Sequence, residues 1–548
     1  MQNHWFVVLP PILVVLLAFI TRRVLFSLAL GIFSAALIAH DFNIIRVFPA
    51  IGSRILSILE FDKLTSYISF WSCTNLFLCL FLLILTFIIV MIQASGGGYA
   101  YGAFIMTKLK SIKKAECATL TMSLFFFIDD YFSSLTVGSV MQPITDQFKI
   151  PRVKLAFLVN SVAAPLAVLF PLTTWMAEIV GQFRNSGIAS VITEKTLIAA
   201  DPFWVYTHMI PFLFYSLIVL ASLWFMVLGR LSFGIVAEHE ALARKTGEIF
   251  GGKSPVVRRM SEISDEQKKS SSIGDFVFPM VVLLGVIGLA MLYFGDYTLF
   301  GGQNDCMSAI QKANIFAALF MGSLISAFVC LLFFIARKKI VISQVYSMAQ
   351  EALALMGGAI MVLVLIWTLS SLLKDDLATG QYLAQKLIGY IDIAYFPLVF
   401  FLVAVCTSAM MGSAWGTIGM LVPLGIPMLV SFMHLTPPVI LADISMLLPL
   451  LGAIISGALV GNHVSPVADV MLMSATSSGA YHMDLVKAQI GFTIPTIIST
   501  SLAFFLTGRL LPLYGIAKTA GISLAAGIGL NFVILFVLHV INRVSTRS

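Results

Sequence analysis

The chain has 548 residues, of which 59% are hydrophobic and only 11% charged, with a mean hydropathy of +1.00. A soluble domain is about half apolar and about a quarter charged, so this composition excludes an ordinary soluble protein and points to a polytopic membrane protein. The net charge of +7 does not signal nucleic acid, because the basic residues fall between apolar runs, where the positive-inside rule places them.

Uncharged runs at 6–21, 65–93, 203–229, 276–294 and 313–336 can each cross a hydrocarbon core of about 30 Å as a helix. So many separate runs define an all-α bundle, since open backbone is not tolerated against lipid. The start is expected to stay in the mature protein and not to act as a cleavable signal, because Arg22 and Arg23 follow the first apolar run instead of preceding it. Cys73, Cys79, Cys117, Cys306, Cys330 and Cys406 show no CxxC spacing, so they are expected as packing residues.

With Arg22 and Arg23 inside, helices at 5–21, 24–40 and 71–93 deliver Lys108, Lys110, Lys113 and Lys114 to the cytoplasm. The stretch at 116–141 is basic on both flanks and is therefore expected to enter and return as a re-entrant hairpin. Ser95-Gly-Gly-Gly98, just before it, lacks a P-loop ending and marks a helix stop. Helices 153–181 and 203–229 lead to a polar cytoplasmic linker at 230–275, expected to be a solvated, partly disordered connector. The second half repeats the scheme upside down. Crossings at 277–295, 314–336 and 348–373 precede a hairpin near 394–432, and crossings at 444–474 and 490–511 follow. An additional helix at 522–541 ends inside at Arg543 and Arg547. The expected fold is thus two inverted repeats, each of five transmembrane helices plus a re-entrant hairpin, with one extra C-terminal helix. The domains are 1–229, 230–275, 276–512 and 513–548, with the N-terminus outside and the C-terminus cytoplasmic.

Such carriers bind their cargo near the midplane, where helices break. In the two hairpins, Ser133 precedes Pro143 by the same interval that Ser413 precedes Pro423. The crossings at Asn160-Ser-Val-Ala-Ala-Pro165 and Gly461-Asn-His-Val-Ser-Pro466 also carry breakers, and aligning their prolines sets Ser161 opposite Asn462. Proline frees a carbonyl and glycine lets the backbone unwind. Freed carbonyls with the oxygens of Ser133, Ser161, Ser413, Thr417, Asn160, Asn462 and Ser465 suit an alkali cation. Asp129, Asp130 and Asp469 stand out, because an ionisable group at membrane depth costs several kcal/mol and is usually functional. Each carboxylate could take either Na⁺ or H⁺, and that competition couples the two fluxes.

Plainer roles stand beside these. Asp129 or Asp130 could cap a half-helix, and His463 could hydrogen-bond a freed carbonyl. Trp175 and Trp415 could be packing residues, and Glu178 could snorkel from the outer end of its helix. A tentative Na⁺ site combines Asp130, Asp469 and Asn462. No cofactor is expected. HExxH and GxSxG motifs are missing, which argues against an intramembrane enzyme, and the inverted repeat argues against a channel.

Phe127-Ile-Asp-Asp-Tyr131, Gln142-Pro-Ile-Thr-Asp146, Ala163-Ala-Pro165, Ser413-Ala-Trp-Gly-Thr417 and Gly461-Asn-His-Val-Ser-Pro466 with Asp469 resemble hallmark segments of the NhaC-type Na⁺/H⁺ antiporter family of the ion transporter superfamily. The resemblance implies two inverted repeats with re-entrant hairpins in a bacterial inner membrane, and sodium–proton antiport. It also brings in relatives that exchange small organic acids such as malate and lactate, and a homodimer by analogy alone. Relatives commonly carry an acid where this chain has Asn160, and hydroxyl residues where Val470 and Met471 stand. The second reading is therefore a Na⁺- or H⁺-coupled carrier of a small organic acid or amino acid.

Overall fold

The structure, a computed structural model, describes residues 5–545 other than 22, 62–69, 72, 107, 108, 110, 172, 255–270, 307, 310–312, 388–391 and 467. The middle of the linker and the charges at Arg22, Lys108, Lys110 and Arg547 lie outside the described residues. The described chain is all-α apart from three two-residue strands, β1 (Ile188–Ala189), β2 (Ile198–Ala199) and β3 (Val439–Ile440), paired in parallel in that order. Among the described residues nine helices are long and apolar enough to cross a membrane, or ten if one bent pair is a single span. The protein is therefore a multi-pass membrane protein.

The chain divides into two compact units, and each takes segments from both sequence halves. The smaller comprises 48–108 and 259–368. It holds α4 (Asn75–Ala94), α5 (Gly97–Met106), α13 (Gly274–Phe294), α14 (Ile315–Ala336) and most of α15 (Ile342–Ser371). Unbroken Leu, Phe and Ile make α4 helical, and it ends where expected. Gly96 takes a left-handed φ of 75° and Ser95 Oγ accepts the Gly97 N–H. Close backbone approach then requires Gly97, where a Cβ would lie 2.7 Å from the Asp275 carbonyl carbon.

The larger unit comprises 1–47, 109–258 and 369–548. It begins with α1 (Leu9–Thr21) and α2 (Val24–Ala39). A helix that the apolar runs do not announce, α3 (Ile44–Ile58), follows α2 at a bend of 118° and crosses into the smaller unit's segment. Next come α6 (Ile112–Phe125), α7 (Asp130–Gln147), α8 (Arg152–Ala167), α9 (Thr174–Asn185), α10 (Pro202–Met209), α11 (Phe214–Gly229) and α12 (Gly234–Thr246). The second half contributes α16 (Thr379–Leu387), α17 (Phe396–Met411), α18 (Ala414–Phe432), α19 (Leu447–Val464), α20 (Asp469–Ser478) and α21 (His482–Ser545), which kinks at Gly515 with φ 70°.

Both expected hairpins are helix–break–helix: α6 and α7 about 126–129, and α17 and α18 about 412–413. They differ in length, since each arm of the second is long and apolar enough to span by itself. Both expected broken crossings also break, as α8–α9 and α19–α20. Pro466 lies in its break, but Pro165 stays inside α8, which ends only at Ala167. The linker is more ordered than expected where it is described. Its α12 packs on α8 and α21, with His239 and Glu240 buried.

One close contact in the larger unit joins α7 to α20. A Cβ on Gly138 would sit 2.0 Å from Ser477 Oγ and 2.7 Å from Ser477 Cβ, so rotating the hydroxyl does not clear it. Gly138→Ala should cost about 1–3 kcal/mol, read as a lowered Tm in detergent. Gly285→Ala, where nothing lies within 4 Å, should leave Tm unchanged or raise it.

Candidate functional site

Four helices start inside the larger unit, one after each break, and their first turns meet. Asp130 is the first residue of α7, and its Oδ1 accepts the Tyr131 N–H at 3.1 Å. Asp129, just before the start, accepts the Thr174 hydroxyl on Oδ2 at 3.1 Å, and the Thr174 N–H donates to the Ile128 carbonyl at 3.1 Å. These two bonds tie the start of α7 to the start of α9. Trp175 approaches the Asp130 carboxyl, without hydrogen-bond geometry at its indole nitrogen, and lies 5.6 Å from the ring of Trp415 in the first turn of α18. The Tyr131 phenol lies near Asp469, the first residue of α20.

Helices α7 and α20 are parallel and in register. Gly138 stands eight residues past Asp130, Ser477 stands eight past Asp469, and these two residues touch. Ser477 Oγ also donates to the Ser134 carbonyl at 2.7 Å. A carboxylate at a helix start is stabilised by the positive end of the helix, and Asp130 fills that place on α7. Asp130 Oδ2 is buried without a partner, as is the Ser133 hydroxyl, while Asp469 is exposed.

The other expected residues gather where α8 passes α19. Asn160 Nδ2 reaches the Asn462 carbonyl at 3.5 Å. Ser161 hydrogen-bonds Gln489 of α21 at 2.9 Å. His463 Nδ1 pairs with the Tyr215 hydroxyl of α11 at 2.7 Å, and its Nε2 is buried without a partner. Ser465 is buried at the end of α19. Ser413 and Thr417 are satisfied locally: Ser413 Oγ accepts the Gly416 N–H as the N-cap of α18, and the Thr417 hydroxyl donates to the Ser413 carbonyl at 2.9 Å. Among the described residues, no three His, Cys, Asp or Glu side chains are grouped to hold a metal ion.

Thr174, Gln489 and Tyr215 were not singled out from the sequence, since a neutral polar residue in an apolar run is more often a packing group. Glu178 does not snorkel. It is fully buried, and both its carboxyl oxygens lack partners.

Away from the helix starts, the charged residues pair with one another. Lys154 lies between Glu116, at 2.8 Å, and Glu240. Glu116 also takes Arg230 at 3.1 Å, and Glu240 takes Arg244 at 3.4 Å. Arg152 binds Asp146 at 2.7 Å and the Ser478 carbonyl at 2.8 Å, so one guanidinium holds the far ends of both α7 and α20.

A multi-pass helical protein whose broken helices start together around buried carboxylates is a secondary transporter. The chain belongs to the Na⁺/H⁺ antiporter family, whose model matches residues 166–509. That span includes Ser413, Thr417, Asn462, His463, Ser465 and Asp469, and leaves out Asp129, Asp130, Ser133, Asn160 and Ser161. An uncharacterized protein of Haemophilus influenzae is 27% identical over 509 residues, covering 92% of this chain and 91% of that one. The YdaH transporter of Alcanivorax borkumensis is similar in structure at a TM-score of 0.48 and 13% identity, over 86% of this chain and 90% of its own. Neisseria gonorrhoeae MtrF, described with a class of antimetabolite efflux pumps, gives 0.47 and 15%, over 91% of this chain and 86% of its own. The family points to a transporter.

Removing Lys154 strips a shared cation from two buried acids. Glu116 keeps Arg230 and Glu240 keeps Arg244, so Lys154→Ala should cost toward the lower end of about 3–5 kcal/mol. Thermal unfolding in detergent measures this, and an unchanged Tm would show that the pairs do not hold α8 to α6 and α12.

Proposed function

We propose that the protein exchanges Na⁺ for H⁺ across a bacterial inner membrane by alternating access, with its N-terminus outside and its C-terminus in the cytoplasm. The reading is carried by one observation. Asp129, Asp130 and Asp469 stand at the starts of two parallel in-register helices, and among the described residues no Lys or Arg pairs with Asp130 or Asp469. Carboxylates without a protein counter-charge inside a membrane protein call for a cation or a proton, and one site that takes either in turn couples their movements. Asp130, Asp469 and Asn462 form the proposed Na⁺ site, and the Tyr131 phenol between the two carboxylates would sense its occupancy. Asn160, Ser161, Ser465 and His463 line the neighbouring crossing. Asn160 gives that crossing one carboxyl fewer than common relatives and thus one fewer place for a proton.

We further propose that the α6–α9 and α17–α20 segments are inverted equivalents, since in each the second arm of the hairpin and the second half of the broken crossing begin at the common meeting point. The second reading, coupled exchange of a small organic acid, is favoured by a different observation. Helix α18 starts with a neutral cap only, Ser413, and an uncompensated helix start favours an anionic group.

Flux in proteoliposomes separates the two. Adding Na⁺ or Li⁺ outside should change internal pH, and malate, lactate or amino acids should not. If an organic solute moves protons and no alkali cation does, the second reading replaces the first. Asp130→Asn and Asp469→Asn should each abolish or strongly weaken exchange while the protein still inserts, and wild-type flux in both would remove the site assignment.

A further inference from the structure

Helix α9 carries a polar face that the cation site does not use. Thr174, Glu178, Gln182 and Ser186 recur one helical turn apart and so share a face, and all four are fully buried. At one end the Thr174 hydroxyl bonds Asp129 at 3.1 Å. In the middle both Glu178 oxygens are unpartnered, as is Gln182 Oε1, while Gln182 Nε2 is fixed on the Gly419 carbonyl of α18 at 3.1 Å. The Ser186 hydroxyl, at the other end, is unpartnered too. Just beyond it Lys374 Nζ reaches the Asn185 carbonyl at 3.4 Å, at the edge of an open depression lined by Glu194, Lys195, Lys374 and Asp375.

Buried polar groups are normally paired, and exceptions ask for an explanation. Three such exceptions in file, one of them a carboxyl, are not ordinary helix packing. An ionised carboxyl in that position would cost several kcal/mol without a counter-charge. None is at hand. Of the titratable and charged groups on the helices packed against α9, Arg152 and Lys154 of α8 are held in ion pairs, the Tyr206 hydroxyl of α10 donates to the Val168 carbonyl at 2.6 Å, and His208 is exposed and bonded to Trp204. Helix α18 brings no acid or base.

We propose that this face of α9 is a proton path joining Asp129 to the depression at the far end of the helix, with Glu178 as the carboxyl that carries the proton midway. Its carboxylic acid gives a proton toward Thr174 and Asp129 and takes one back along Gln182 and Ser186, so only O–H bonds are made and broken. Side chains one turn apart are close enough for a single bridging water. The proposal rests on proton-coupled exchange at the aspartates, and the test keeps the two apart.

Wild type, Glu178→Gln and Glu178→Asp are reconstituted in proteoliposomes and assayed for Na⁺-driven proton flux and for ²²Na⁺ counterflow, which moves no proton. Glu178→Gln should slow proton-coupled exchange at least about tenfold, as loss of a positioned acid–base group does. Counterflow should stay within about twofold, and Glu178→Asp should recover part of the coupled rate. Equal loss of both fluxes, or wild-type rates for both, would overturn the path. If wild-type protein moves no Na⁺ at all, the sodium reading fails, and the path is then judged by infrared spectroscopy. A carboxylic-acid band present in wild type, missing in Glu178→Gln and exchanging promptly in D₂O supports it. No such band, or one that does not exchange, sinks it.

Discussion

A helix that starts inside a membrane protein leaves its first N–H groups without partners, and lipid offers no water to satisfy them. Four helices of this chain start that way, and everything around them can be understood as a response to that constraint. Thr173 and Ser413 accept first-turn N–H groups on α9 and α18. Asp130 does so in part for α7, and Ala468 offers no side-chain cap to α20, which has Asp469 in its first turn instead. Gathering the starts in one place puts several unmet donors and three carboxylates within reach of one another. The same backbone breaks that would be costly singly become a polar interior when they face each other.

How far this could be read from the sequence differs by element. The apolar run of α4 and its stop at Ser95 and Gly96 are legible because continuous Leu and Phe, then glycine, leave little choice. The break before Asp469 is legible because glycine, proline and acid cluster there, and the break before Asp130 because a pair of acids interrupts an apolar run. The break after α8 is not, since Pro165 lies within the helix and the chain unwinds only beyond Ala167. Helix α3 is hidden by Arg46 and Arg54, which interrupt its apolar run, although Ile45, Phe48 and Leu56 are exposed along one side. Partner choice was the hardest to foresee. That Ser161 meets Gln489, and His463 meets Tyr215, depends on how α8, α11, α19 and α21 cross, which no spacing along one helix reveals.

The ion pairs show how the polar interior is closed off. Lys154, Glu116, Arg230 and Glu240 neutralise one another at the base of α8, so none of them need draw on the carboxylates at the helix starts. Charges that pair among themselves are poor counter-ions for anything else. Among the described residues, Asp130 and Asp469 are left without a basic partner.

If the proposed cation site is where cargo binds, the in-register contact of Gly138 with Ser477 bears on discrimination between ions. With Arg152 gripping both far ends, α7 and α20 form a single beam, and the gap between their leading carboxylates is set by backbone packing along its length. Flexible side chains can close around ions of several radii, but a gap fixed by a glycine against a serine cannot. Ionic radius would then be gauged some two turns away from the cation itself.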